Sequence, residues 1–283
     1  MVLYRDWVES STLSGSGTST AYSRIQELRP SRVWVATSDL TAWIGGDCGA
    51  TREANQFACI AHNFDVGVEL RLRLGTDAQL LDASPTSTGV VLDVTFDAWQ
   101  PVAGLGFDGF GTSLGGFPKL TDFEDYTYLT PLALGAKYSF RYWRLDIVKS
   151  EANTAGNFAI GRLMLGLGLQ TGTNIAFGWS LEWIDPSEVT RTEASLSVVS
   201  ATKYRRLTLS WDDLTETEAL GQMDDFARIV GNSRAVFLSI FPTAAQNIRY
   251  RTSIYGVPEK NGATSNPYHD VYAKTLTVNE IRS

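Results

Sequence analysis

Reactive and metal-binding side chains are scarce in this chain. Two histidines and two cysteines are spread over 283 residues. No HxxxH, CxxC or EF-hand loop occurs, so no metal ligand and no cofactor-binding residue is assigned. Neither histidine sits in a nucleophile motif, so no catalytic residue is assigned either, and the expectation is a protein that is not an enzyme. His62 follows an apolar strand and precedes Asn63. It reads as structural, its ring bonding backbone where the strand leaves the sheet. His269 lies in the turn Pro267-Tyr268-His269-Asp270. Cys48 and Cys59 form neither a disulfide framework nor a zinc pattern. Each has apolar neighbours and reads as a small buried hydrophobe, with a single bridge between them left open.

Charge is also thin. Charged residues make up 19% of the chain, and 24 Lys and Arg against 31 Asp and Glu leave a net charge of −7. Sequence-specific DNA binding needs clustered cations to neutralise phosphates, and this balance disfavours it. No window reaches the ~20 apolar residues of a membrane helix, so membrane insertion is not expected. The start, Met1-Val2-Leu3-Tyr4-Arg5-Asp6-Trp7, lacks the apolar core of a secretion signal. The expectation is synthesis in the cytoplasm, with later release in a particle left open.

What is present suits an all-β protein. Apolar residues reach 43%, with 25 glycines and eight tryptophans, and short polar breaks punctuate the chain. In Val66 to Leu74, Val68, Leu70, Leu72 and Leu74 alternate with Glu69, Arg71 and Arg73, as in a strand buried on one side. Gln56 to Ala61, Gly89 to Asp97, Tyr138 to Val148 and Phe158 to Leu165 read as further strands. Asp47-Cys48-Gly49 reads as the lead-in to the first strong one. The Gly/Thr-rich stretch Gly166 to Asn174 marks a boundary, giving a first domain over 1–168 and a second over 169–283.

The second domain reads as strands, one helix, strands. Phe177 to Ile184 and Tyr204 to Trp211 are strands, and Val189 to Thr202 is a hairpin arm. Thr215 and Glu218 form a capping box. Leu220, Met223, Ala227 and Val230 then share a helical face, and Gly231 stops the helix. Val236 to Phe241, Ile248 to Val257 and Val271 to Val278 read as closing strands.

Candidate sites are few. Gly104, Gly106, Gly109, Gly111, Gly115 and Gly116 lie in one irregular segment that lacks a P-loop ending. It reads equally as a linker or as a partner-contact loop exposing Phe110. Asp122-Phe123-Glu124-Asp125 offers hard oxygens, though a solvated acidic turn is the preferred reading. Asp212, Asp213, Glu216 and Glu218 sit at the helix start, where negative charge suits the dipole. That role is preferred over a paired-carboxylate site for sugar hydrolysis. Among the tryptophans, Trp34, Trp43, Trp99 and Trp143 fall in the first domain, and Trp179, Trp183 and Trp211 in the second. Trp143 and Trp211 read as core. Trp43 and Trp99 border loops and are the candidates for stacking on a sugar.

Arg29-Pro30-Ser31-Arg32-Val33-Trp34, Asp47-Cys48-Gly49, Asn55 to Asn63, Tyr142-Trp143-Arg144 and Ile160-Gly161-Arg162-Leu163 together resemble a galactose-binding-like (discoidin-type) jelly roll of the kind found in tail proteins of long-tailed bacteriophages. Such domains often carry a structural calcium. Tyr204 to Leu209 with the capped helix looks like the tail-tube-like fold of ring-forming tail proteins, a β-sandwich or split barrel with one flanking helix. The combination resembles a distal tail protein, although its order, peripheral module first, departs from the usual arrangement. The resemblance implies a homo-oligomeric ring, a hexamer by preference, assembled in the host cytoplasm and located at the tail tip of the virion. Its partners would be tail tube and baseplate proteins, and DNA would pass the lumen without specific binding. The alternative reading is a carbohydrate-binding module that recognises host surface glycans. A wall-opening glycosidase stands third.

Overall fold

A computed structural model describes residues 1–98, 129–169, 171–172, 175, 178–191, 196–242, 244 and 246–282. The protein is mainly β, its ladders built largely from antiparallel pairs, as the apolar alternation and the many turns led one to expect. Its internal contacts divide it into two units. One takes in Met1–Gly168 and Phe237–Ser253, the other Leu169–Val236 and Ile254–Arg282. No helix among the described residues is long and apolar enough to cross a membrane.

The first unit opens with β1 (Val2–Asp6), β2 (Thr12–Gly15) and β3 (Trp34–Val35). There follow β4 (Thr41–His62), β5 (Glu69–Gly75), β6 (Val90–Asp97), β7 (Leu129–Val148) and β8 (Ala159–Leu169). The strand order is β6-β5-β7-β4-β8, with β2 also on β4 and β3 on β8. β4 runs for 22 residues. Asp47-Cys48-Gly49 lies inside it rather than before it, at a register shift between Asp47 and Arg52. Gly49 has φ +70° there, a backbone state costly for a side chain bearing Cβ. Phe57 of β4 meets Phe96 of β6 edge to face, ring centroids 6.1 Å apart. Two strands lie between these in the hydrogen-bonded order, so the sheet curls over itself around a core. Leu70, Leu72, Leu74, Trp143, Leu145 and Ile147 are all fully buried in it.

The second unit contains β9 (Ser180–Ile184), β10 (Glu188–Arg191), β11 (Leu196–Val199) and β12 (Tyr204–Leu214). A π-helical turn over Thr217–Gln222 leads into α1 (Met223–Val230). The capping box forms as expected. Glu218 Oε2 accepts the Thr215 amide at 3.0 Å, and Thr215 Oγ1 accepts the Glu218 amide at 3.4 Å. The expected buried face is off by one residue at its start. Leu220 is 56% exposed while Ala219 is buried, because the wider π turn delays each later side chain.

The chain then returns to the first unit through β13 (Val236–Ser239) and α2 (Gln246–Thr252). The sequence suggested one crossing at 168. The return occurs because β13 pairs with β1, Val2 opposite Leu238 and Leu3 opposite Phe237. The Met1 ammonium also donates to Ser239 O at 2.9 Å. Residues 248–252 are helical where a strand was expected, and the Thr252 hydroxyl donates to Ile248 O at 2.8 Å inside that turn. β14 (Ser253–Asn261), β15 (Ser265–Tyr268) and β16 (Val271–Glu280) complete the chain. The second unit's sheet has the order β14-β16-β12-β9, with β15 on β16 and β10–β11 standing as a separate ribbon.

Candidate ligand-binding face

Strand pairing places one residue in two from each strand on a shared face. In the first unit the inward set is apolar. The outward set is laid out by register. Trp43 of β4 is opposite Asp146 of β7, which is opposite Arg71 of β5, which is opposite Thr95 of β6. The adjacent row reads Gly45, Arg144, Arg73, Asp93. Beyond it Asp47 faces Tyr142.

These side chains form three neighbouring groups, Arg73–Asp146–Arg144, Arg71–Asp93 and Arg141–Asp47. Arg73 donates to Asp146 Oδ2 from Nη2 at 2.6 Å and from Nε at 3.2 Å. Arg144 Nε donates to the other oxygen of Asp146 at 2.8 Å. Arg144 Nη1 reaches the carbonyls of Leu80 and Asp82 at 3.3 and 2.5 Å, anchoring the turn that follows β5. Arg71 grips Asp93 with two bonds of 2.7 and 2.5 Å. Arg141 grips Asp47 with two of 2.8 and 2.9 Å. Hydrogen bonds from these guanidinium groups hold the Asp93 and Asp47 carboxyls below the usual carboxylate range. Burial lowers the pKa of Arg144, a cost that the shared Asp146 carboxylate offsets.

Two half-buried aromatics belong to the same face. The Arg144 guanidinium lies 4.0 Å from the Trp43 ring centroid, and that of Arg141 lies 5.1 Å from the Tyr142 ring. The Trp43 backbone is held by Ser16, whose Oγ accepts its amide at 3.0 Å. Each ring therefore has an arginine against it. Arg73 and Arg144 are buried, while Arg71 and Asp93 are exposed and keep donor and acceptor capacity toward solvent. Half-buried aromatic surface beside planar, paired hydrogen-bonding groups suits recognition of a polyhydroxylated ligand.

The other candidates fall elsewhere. Trp34, Trp143 and Trp211 are core; Trp179 is half-buried and Trp183 is 43% exposed. Trp99, the glycine-rich segment and Asp122 to Asp125 lie outside the described residues. Cys48 and Cys59 are free and buried, so the bridge left open is not formed. His62 is buried, and its Nδ1 accepts the Phe64 amide at 3.4 Å. His269 Nδ1 lies 2.9 Å from the Asp270 carboxylate in an exposed turn. Asp212, Asp213 and Glu216 are exposed, and Glu218 is spent on the helix cap. No group of three or more metal-ligating side chains occurs among the described residues. Sequence reasoning singled out Trp43 but not Arg71, Arg73, Asp93 or Asp146. The period-two charge pattern of β5 was the available signal.

No protein-family model matches the chain, and no curated protein sequence matches it. Solved structures resemble parts of it. One is the lectin domain of lectinolysin complexed with Lewis B antigen, 13% identical, covering 58% of this chain and 98% of that one, with a TM-score of 0.37. Another is the CBM32 of AlyQ in complex with 4,5-unsaturated mannuronic acid, 15% identical, covering 56% and 95%, with a TM-score of 0.35. A third is chitosan-binding module 1 from a chitosanase/glucanase of Paenibacillus sp. IK-5, 12% identical, covering 58% and 99%, with a TM-score of 0.36. At these identities and scores the likeness assigns neither a family nor a ligand.

Proposed function

We propose that this protein is a non-catalytic carbohydrate-binding protein, and that its first unit holds a glycan on the Trp43 face. The observation that carries this reading is the placement of Trp43 and Tyr142, two half-buried aromatic rings, among paired arginine and aspartate side chains on one sheet face, where Arg71 and Asp93 are exposed to solvent and Arg73 and Arg144 are buried beneath. The reading places first what the sequence offered as its alternative. It is tested with a glycan array, followed by calorimetric titration of the best hit. Trp43→Ala is expected to lower affinity at least about tenfold, roughly 1.4 kcal/mol, while Trp183→Ala in the second unit leaves it unchanged. Equal affinity of Trp43→Ala and the parent ends the reading.

A second reading rests on a separate observation, the β10–β11 ribbon. Val189 and Val198 stand opposite one another and are 60% and 54% exposed. A lone two-stranded ribbon is marginal in water, and uncovered apolar side chains on it invite a partner. In this reading copies of the chain join through the ribbon into a ring, a hexamer by preference, at the tip of a long-tailed phage tail. The ring would contact tube and baseplate proteins and let DNA pass. Sedimentation velocity decides it: concentration-dependent oligomers that Val198→Asp abolishes are expected, and a monomer at all concentrations refutes it.

A further inference from the structure

Among the described residues the buried arginines are paired, with one exception. Arg73 and Arg144 share Asp146. Arg162 holds Asp6 at 2.7 Å. Arg205 is locked to Glu280. Arg249, on α2, is 5% exposed, yet no carboxylate among the described residues lies within ion-pair distance of it. Its Nε is sealed from solvent without a hydrogen-bond partner. The one ionisable group that acts on it is the hydroxyl of Tyr250, and burial lowers its pKa. An arginine remains charged across the accessible pH range, and a buried charge without a counter-ion destabilises a fold. Ile248, the preceding residue, is 46% exposed and Phe241 is 43% exposed.

We infer that Arg249 is a receptor for an oxyanion, a carboxylate or phosphate group supplied from outside the chain, which completes its missing ion pair. The two Nη groups at the end of its planar fork suit two-point capture of such a group. The oxyanion has two possible sources, a small free anion or a carboxylate of another copy of this chain. This inference is independent of the Trp43 face.

The test uses the full chain and its Arg249→Met and Arg249→Lys variants. Thermal unfolding is followed in sodium chloride, sodium phosphate and sodium acetate at matched ionic strength and pH, and over a hundredfold range of protein concentration. If the source is a free anion, phosphate or acetate raises the Tm of the parent by about 3 °C or more. If the source is another copy, the Tm rises instead with protein concentration. In both cases Arg249→Met loses the response and Arg249→Lys, which keeps the charge but not the fork, retains part of it. A parent protein whose Tm is indifferent to phosphate, acetate and concentration overturns the inference, even where Arg249→Met fails to fold. An equal response in Arg249→Met overturns it as well.

Discussion

His62 makes the first unit sensitive to mild acid. Its ring is buried and stacked on Phe64 at 4.5 Å. Thr130 Oγ1 spends its one proton on Ala98 O at 3.0 Å, so the 2.9 Å contact between that oxygen and His62 Nε2 has the imidazole as donor. Nδ1 is then the acceptor for the Phe64 amide. A second proton on the ring would set two donors against each other, in a site without solvent. Burial pushes the pKa down to about 3 from 6.5. The folded state therefore keeps the ring neutral while the unfolded chain protonates it near 6.5. Stability is full above that pH and falls as pH drops from 6.5 toward 3. At about 1.4 kcal/mol per pH unit, the loss from this one group is about 2 kcal/mol at pH 5 and about 5 kcal/mol once the folded form is also protonated. Urea unfolding of the parent and of His62→Gln at pH 7.5 and 5.0 isolates it, since other titrating groups are common to both. The parent is expected to lose about 2 kcal/mol more than the variant between the two pH values. An equal loss, or a His62 ring resonance that titrates near 6.5 in the folded protein, refutes the reasoning.

Other perturbations follow from single contacts. Glu280→Ala removes the carboxylate paired with the fully buried Arg205, and chemical denaturation is expected to show a loss of about 3–5 kcal/mol, most of it recovered when Arg205→Met is added. Gly166→Ala directs a Cβ to within 1.7 Å of Arg5 O, so a loss of at least about 3 kcal/mol or failure to express folded protein is expected. Glu218→Ala removes acceptors for the amides of Thr215 and Gly172, costing about 1–2 kcal/mol. Those amides hold the Glu218 carboxyl below its usual range, so its contribution is present at neutral pH and lost as acid titrates it. Both thiols are free and buried, and burial raises the pKa of each. A thiol reagent is expected to label neither until urea unfolds the chain, and labelling of the native protein within minutes contradicts that burial.

Local patterns carried the elements whose signal is local. The alternation in β5 specified both its strand and its buried side, because period two has no helical counterpart. The Thr215–Glu218 box specified a helix start through two reciprocal bonds between near neighbours. The failures share a cause. An even helical period puts Leu220 inward, and a π turn of one extra residue leaves no mark in composition. Residues 248–252 fall in the expected strand Ile248 to Val257 but are helical. Arg249, Tyr250, Thr252 and Ser253 are the buried ones, a pattern set by what packs on α2 and not by propensity.

The face around Trp43 shows where sequence reading runs out. Trp143 reads as core because it lies within a strong strand, and it is fully buried with Leu145 and Ile147. Trp43 was set apart because it borders a loop, but its position has another origin. It lies near the start of β4, on the outward parity shared with Gly45 and Asp47, with Ser16 against its backbone and Asp146 and Arg144 of β7 beside it. Asp146 and Arg73 are separated by 73 residues, and only the register of β5 on β7 brings them together. A slip of one residue would turn Arg71 and Arg73 into the core and Leu72 to solvent. The burial of Leu70, Leu72 and Leu74 therefore fixes the register, and the register assembles the charged network. The apolar side of the sheet thus determines the geometry of its polar side, and core substitutions that loosen β5 are expected to disperse the Arg73–Asp146–Arg144 cluster before they unfold the unit.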